Sequence, residues 1–378
     1  MPKPRPQHPH AMLRAVETLW RRATAHIDGP LMAAVMLLVV AGMVTLYSAS
    51  NQSFDRMENK LFNLGVAFAV MWIAANIPIA QLMRLAMPAY LAALVLLVAV
   101  ALFGDVRNGA RRWLDLGFIS LQPSELMKLA LPLALAWYFD RYESSLRLRN
   151  YAIAALLFIL PVALIARQPD LGTALLIAAS GCYVLFLAGL PWKVIFALAG
   201  LGVAALPLLW SVMHDYQRTR VMILLDPAQD PLGAGYHTIQ STIAVGSGGW
   251  FGKGWLQGTQ THLDFLPERT TDFIFAVYSE EFGLFGNALL LLMFLLVIGR
   301  GLVITLNAPT LFARLVGGSI AMTFFTYAFV NMGMVAGILP VVGVPLPLIS
   351  YGGTALVSVF FGFGLLMSIS TNRKLNRS

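Results

Sequence analysis

The hydrophobic stretches of this chain come close to a single length. Ten of them, at 30–49, 60–77, 83–103, 122–139, 151–166, 171–189, 193–213, 272–299, 311–337 and 347–370, are separated by polar joints. Each is near the roughly 20 residues that a helix needs to cross a bilayer. In hydrocarbon every backbone N–H and C=O must be bonded within the protein, which leaves only helices or closed barrels. Barrel strands are about half as long and alternate in polarity, and these runs do neither. The expected fold class is all-α: a polytopic helical membrane protein with about ten transmembrane helices and one long extracytoplasmic loop. Charge content agrees, at 12% of residues against about 25% in soluble domains.

Loop charge orients the spans. The N-terminus carries Lys3, Arg5, Arg14, Arg21 and Arg22, and the C-terminus Arg373, Lys374 and Arg377. The joints on the same side hold Arg84, Arg141, Arg147, Arg149, Lys193, Arg300 and Arg314. Both termini are therefore expected in the cytoplasm. This divides the chain into a tail (1–28), a membrane domain (29–370) whose long extracytoplasmic loop is 214–271, and a second tail (371–378). Leu13, Val16, Trp20, Ala23 and Ile27 recur at helical spacing, as in an amphipathic helix lying on the membrane. Residues 1–28 contain no apolar core of a cleavable signal. Cys182 has no partner for a disulfide. The net charge of +8 is spread over short loops rather than pooled in a soluble domain, which argues against nucleic acid as a partner. No internal repeat is visible, which weakens a transporter reading.

Two outer segments break the charge bias. The loop 104–121 holds Arg107, Arg111 and Arg112, and the long loop holds Arg218, Arg220, Lys253 and Arg269. Cations on the translocated side oppose insertion, so an anionic ligand on the outer face is expected. The long loop exceeds the roughly 12–15 residues beyond which structureless connections are uncommon. Its glycine clusters and its spaced aromatics, Tyr236, Trp250, Trp255 and Phe265, argue for a folded, working segment.

Four motifs carry chemistry. In GARRWLDLGFISLQPSELMKLA (109–130), Gln122, Glu125 and Lys128 recur every third residue along the fourth span. Ionisable residues at that depth pair and face the protein interior or water, either as a groove wall that receives a lipid-linked anion or as a structural ion pair. In RQPDLGT (167–173), Asp170 suits a helix cap. In LPERTTDFIFAVYSEE (266–281), Asp272 lies where loop becomes helix. It is either an N-cap or an interfacial general base, with Arg269 near it and Glu280 and Glu281 deeper. In GILPVVGVPLPLISYGGTA (337–355), Pro340, Pro345 and Pro347 imply broken helix, tolerated only where buried or lining a cavity. The chain has no P-loop, dinucleotide fingerprint, zinc spacing or nucleophile elbow.

These motifs, with QPDLGTAL, DPLGAGYHTIQSTIAVGSGG and PLPLISYGGTA, resemble signatures of the SEDS family (shape, elongation, division and sporulation), in family order from about residue 109 to 355. GTQTHLDFLPERTTDFIFAV is more similar to the elongation branch, RodA, than to the division branch, FtsW. The resemblance implies a peptidoglycan glycosyltransferase of the bacterial cytoplasmic (inner) membrane. Such a protein polymerises lipid II onto a polyprenyl-linked glycan chain at the outer face, beside a class B penicillin-binding protein and the elongation machinery. The family's catalytic aspartate falls on Asp272, its polar pair on Glu125 and Lys128, and its loop Trp and Arg on Trp113 and Arg111 or Arg112. Substrate contacts are expected from these residues together with Gln122, Arg218, Arg220, Lys253 and Arg269. No cofactor is required, no metal ligand is assigned, and a divalent cation (Mg or Mn) is compatible. A flippase of lipid-linked precursor and a non-enzymatic elongation scaffold are the alternatives.

Overall fold

A helix coincides with each of the ten expected spans. The computed structural model describes residues 25–107, 110–115, 120–142, 148–168, 170–213, 215–230, 234–262 and 268–375. The amphipathic helix expected over 11–27 falls outside these residues except for its last three, and so does the end of the C-terminal tail. In chain order the helices are α1 (Gly29–Ala49), α2 (Phe54–Ala75), α3 (Ile79–Phe103), α4 (Pro123–Tyr142), α5 (Leu148–Ala166), α6 (Leu171–Leu187) and α7 (Trp192–Val212). The long loop adds α8 (Asp215–Leu225), α9 (Ala234–Ser247) and the single turn α10 (Thr259–His262). Then follow α11 (Ile274–Leu306), α12 (Leu311–Val335) and α13 (Thr354–Leu375). By length and composition, α1, α3, α11, α12 and the α13 stretch Thr354–Thr371 are long and apolar enough to cross a membrane. Helices α2 and α4 carry charge within the helix, Lys60 in one and Glu125 with Lys128 in the other.

Two features depart from the expected all-helical outline. The loop 104–121 forms a small antiparallel sheet of β1 (Asp105–Arg107), β2 (Ala110–Asp115) and β3 (Ser120–Leu121), with Asp105 opposite Trp113 and Leu114 opposite Leu121. The last helix begins at Thr354, seven residues after the expected start, because Pro347 and the Gly352–Gly353 pair precede it.

Helix starts follow local chemistry. Asp28 accepts from Leu31 N at 3.1 Å, Asp170 from Thr173 N at 3.1 Å, and Thr310 from Ala313 N at 3.2 Å. Asp28 is also gripped by Arg300 through Nε at 2.8 Å and Nη2 at 2.7 Å, and by Ser370 at 2.9 Å. One carboxylate thus ties α1, α11 and α13 together. Helix α12 is central, packed by α4, α6, α9, α11 and α13.

The bundle is interrupted twice. At Gly283 (φ +65°, ψ −162°) helix α11 breaks, and the glycine-rich segment after α9 supplies the missing backbone partners. Lys253 N and Gly254 N donate to the carbonyls of Glu280 and Glu281, both at 3.0 Å. In return Leu284 N donates to Gly249 O at 2.9 Å and Phe285 N to Trp250 O at 3.1 Å. This approach requires bare backbone, since a Cβ on Gly252 would collide with Glu281 O.

The second interruption is residues 336–353, between α12 and α13. Its backbone is held by side chains. Asn331, fully buried, donates through Nδ2 to Val344 O at 2.7 Å and to Asp272 O at 2.8 Å. Ser350 Oγ donates to Thr271 O at 2.6 Å and accepts from Leu346 N at 2.8 Å. Lys60 Nζ reaches Ser350 O at 2.5 Å, and Tyr351 N donates to Thr270 O at 2.8 Å.

Two stability tests follow. Asn331→Leu removes a donor from two interior carbonyls and should cost about 1–3 kcal/mol, read as a lower thermal midpoint of the purified protein in detergent. Gly252→Ala should destabilise by about 1–3 kcal/mol through overpacking. Gly246→Ala, on helix α9 with open space around it, should not lower the same midpoint.

Candidate active site

Asp272 stands in a turn built to present it. Thr271 N and Phe273 N donate to Glu268 O at 3.1 and 3.2 Å, and Thr271 Oγ1 donates to Glu268 Oε2 at 2.8 Å. The N-cap of α11 is Phe273, with no side-chain cap hydrogen bond, so the Asp272 carboxylate is not spent on capping. Its backbone is fixed from α12 by Asn331. On one side lies Gly343 (φ +72°), where a Cβ would stand 3.4 Å from Asp272 Oδ2. On the other opens a cavity of about 300 Å³ lined by Arg220 of α8, His237 and Thr238 of α9, Glu268, and Leu339–Val341. Burial, reinforced by the negative charge of Glu268 and opposed by Arg220, raises the Asp272 carboxyl to about 6. A carboxylate near neutrality in a polar cavity is suited to taking up a proton.

A second, larger groove of about 670 Å³ lies between α2, α3, α4 and α13. Its walls are mostly apolar, with Val70, Ala89, Leu126 and Val357 among them, while Asn63, Gln122, Glu125 and Ser358 contribute polar atoms. Glu125 and Lys128 form the i,i+3 pair expected from their spacing, with Nζ 2.6 Å from Oε1. Neighbouring helices pin the pair: Lys128 Nζ also donates to Tyr327 OH of α12 at 2.6 Å, and Ser358 of α13 donates to Glu125 Oε2 at 2.8 Å. A buried pair satisfied from two further helices fixes side-chain position more than it adds stability.

The other singled-out residues disperse. Gln122 Nε2 lies 3.5 Å and Arg112 Nε 3.7 Å from Asp170 Oδ2 at the start of α6. Trp113 is half-buried in β2 beside Arg111, whose side chain lies outside the described residues. Arg218 donates to Trp210 O at 3.0 Å and Ser211 O at 2.9 Å, closing the end of α7. Lys253 Nζ lies 2.6 Å from Glu280 Oε1 and 2.7 Å from Thr259 Oγ1. Arg269 is half-buried three residues before Asp272. Glu280 also accepts from Gln260 N at 3.1 Å, and Glu281 accepts from Ser48. None of these partners lines the Asp272 cavity. Among the described residues no three His, Cys, Asp or Glu side chains converge on a metal-binding geometry.

Sequence reasoning did not single out Asn331, Tyr327, Ser358 or His237. For Asn331 and Tyr327 a signal existed, since each is a polar group within an apolar span, the argument that singled out Glu125. His237 has no spacing that marks it.

The chain matches the family described as "Cell cycle protein" (FtsW/RodA/SpoVE) over residues 30–375. It is 50% identical over 360 residues to the peptidoglycan glycosyltransferase MrdB of Escherichia coli (strain K12), covering 95% of this chain and 97% of the relative. The probable peptidoglycan glycosyltransferase FtsW of Geobacter metallireducens is 36% identical, with 90% of this chain and 94% of that protein covered. Among solved structures, a peptidoglycan synthase complex studied for coordination of polymerization and crosslinking superposes with a TM-score of 0.79 at 36% identity, covering 92% of this chain and 98% of that one. The crystal structure of the rod shape determining protein RodA of Thermus thermophilus gives 0.70 at 32% identity, covering 92% and 97%. The chain belongs to the FtsW/RodA/SpoVE family of multi-pass membrane proteins and within it is RodA-like.

Proposed function

We propose that this chain is a peptidoglycan glycosyltransferase that polymerises lipid II during cell elongation. In this reading it crosses the bacterial cytoplasmic membrane ten times, keeps both termini in the cytoplasm, and works on the extracytoplasmic face. The observation that carries the reading is the Asp272 carboxylate, freed from capping and set in the wall of a cavity beside Arg220. The groove between α2, α3, α4 and α13 suits a polyprenyl tail. A groove alone would serve a flippase equally well; the held carboxylate favours the polymerase.

In the reaction, the 4-hydroxyl of the acceptor sugar attacks C1 of the sugar at the reducing end of the growing chain. Asp272 takes the hydroxyl proton as the new C–O bond forms, and polyprenyl diphosphate leaves from C1. Arg220 stabilises the charge that develops on the departing group. Glu125, held by Lys128 and Ser358, contributes to the polar wall of the groove. A divalent cation accompanying the diphosphate would add to the charge neutralisation that Arg220 supplies. A class B penicillin-binding protein is the proposed partner, supported by similarity to the solved synthase complex.

Purified protein incubated with labelled lipid II, alone and fused to that partner, should yield a ladder of glycan products on a gel. Asp272→Asn should reduce product by at least about 10²-fold while leaving the thermal midpoint in place. A ladder that survives the substitution removes Asp272 from the mechanism. No ladder from the fusion with Mg²⁺ or Mn²⁺ supplied favours the flippase, which precursor translocation in liposomes would then detect. The raised carboxyl sets a pH dependence. Only ionised Asp272 accepts a proton, so kcat/KM should climb as pH passes upward through about 6 and level off above it. A rate independent of pH between 5 and 7.5 would contradict the assignment.

A further inference from the structure

His237 has no role in the chemistry above, yet its ring is held in the Asp272 cavity with a polar atom unspent. It lies in the first turns of α9 and lines the cavity with Arg220, Glu268 and Asp272. Its imidazole lies flat on Phe273, the residue after Asp272, with ring centroids 5.7 Å apart and planes 13° from parallel. Phe273 is buried, so the stack fixes the plane of the imidazole. Nδ1 is sealed inside the protein without a hydrogen-bond partner, so the nitrogen that a molecule in the cavity can reach is Nε2, which makes no hydrogen bond to the described residues either. An imidazole nitrogen open to the cavity can be paired by a ligand there, and the stack on Phe273 holds the ring in the plane that presents it.

The surroundings define what would satisfy it. Two carboxylates, Glu268 and Asp272, repel anionic oxygens from their part of the cavity, which leaves Arg220 and His237 to receive them. Ile223, Leu224 and Leu339–Val341 supply apolar wall beside these groups. Anionic oxygens joined to hydrocarbon describe a prenyl diphosphate. We infer that His237 donates a hydrogen bond from its ring to the diphosphate of the polyprenyl-linked substrate, alongside Arg220, and so holds the leaving group while Asp272 deprotonates the acceptor. The inference rests on the glycosyltransferase reading for its reaction but concerns a binding contact that can be measured without turnover.

The test uses the full chain in detergent and titrates farnesyl diphosphate by calorimetry, with farnesol as the control that lacks the diphosphate. His237→Phe keeps an aromatic ring for the stack and removes both nitrogens; His237→Gln keeps a donor near the Nε2 position. The wild-type protein should bind farnesyl diphosphate, His237→Phe should weaken that binding about tenfold or more, and His237→Gln should recover part of it. Farnesol binding should be alike in all three proteins. With lipid II, His237→Phe should lower kcat more than it raises KM. Undiminished diphosphate affinity in His237→Phe, no diphosphate binding by the wild type, or an equal loss for farnesol would each overturn the inference. Should His237→Phe fail to fold, His237→Leu, which also lacks both nitrogens, takes its place in the same titration with the same expected loss. A His237-dependent diphosphate site in a protein that makes no glycan would uphold the contact and fell the polymerase.

Discussion

Backbone that leaves a helix inside an apolar bundle must find its hydrogen bonds elsewhere in the protein, and the site grows out of how this chain meets that demand. Residues 336–353 run non-helically between α12 and α13. The groups that satisfy them, Asn331 and Ser350, also bond the carbonyls of Asp272 and Thr271. The same atoms that satisfy the broken backbone also fix the turn of the proposed base. The turn that presents Asp272 is thereby carried on α12, a helix packed by five others, rather than left to the loop that precedes it.

Charge is handled with similar economy. The cations of the long loop serve different places. Arg218 closes the end of α7, and Lys253 neutralises the buried Glu280 beneath the break in α11. Arg220 faces the same space as Asp272 and Glu268. The carboxyl of Asp272 is pushed up by burial and by Glu268 more than Arg220 draws it down, as its proposed role of base requires.

Much of the helical architecture was legible in the sequence because span length is imposed by the bilayer and read directly from apolar runs. The pairing of Glu125 with Lys128 was legible for a related reason, since three-residue spacing on a helix and the cost of isolated charge leave few alternatives. The role of Asp272 was not decided by its neighbours in the chain, because a helix-start Asp caps as readily as it catalyses. The observed cap, Phe273, removes the capping role, and the role of base belongs to the proposed reaction. The sheet at 105–121 and the late start of α13 were missed because short strands and proline-glycine breaks leave weak periodic signals. The grouping of Arg220, His237 and Glu268 arises from three segments separated in sequence, and no local pattern encodes that meeting.

The groove between α2, α3, α4 and α13 bears on how such a protein is supplied. Leu126 and Ala89 on its walls are exposed on the side of the bundle, so on the glycosyltransferase reading a hydrocarbon tail would enter sideways from the surrounding film. Encounter then takes place in two dimensions, and occupancy follows the mole fraction of substrate among the surrounding lipids rather than its amount per litre. Adding detergent at constant total substrate would slow such a protein by surface dilution alone, while a lipid domain enriched in precursor would speed it with no change in the chain.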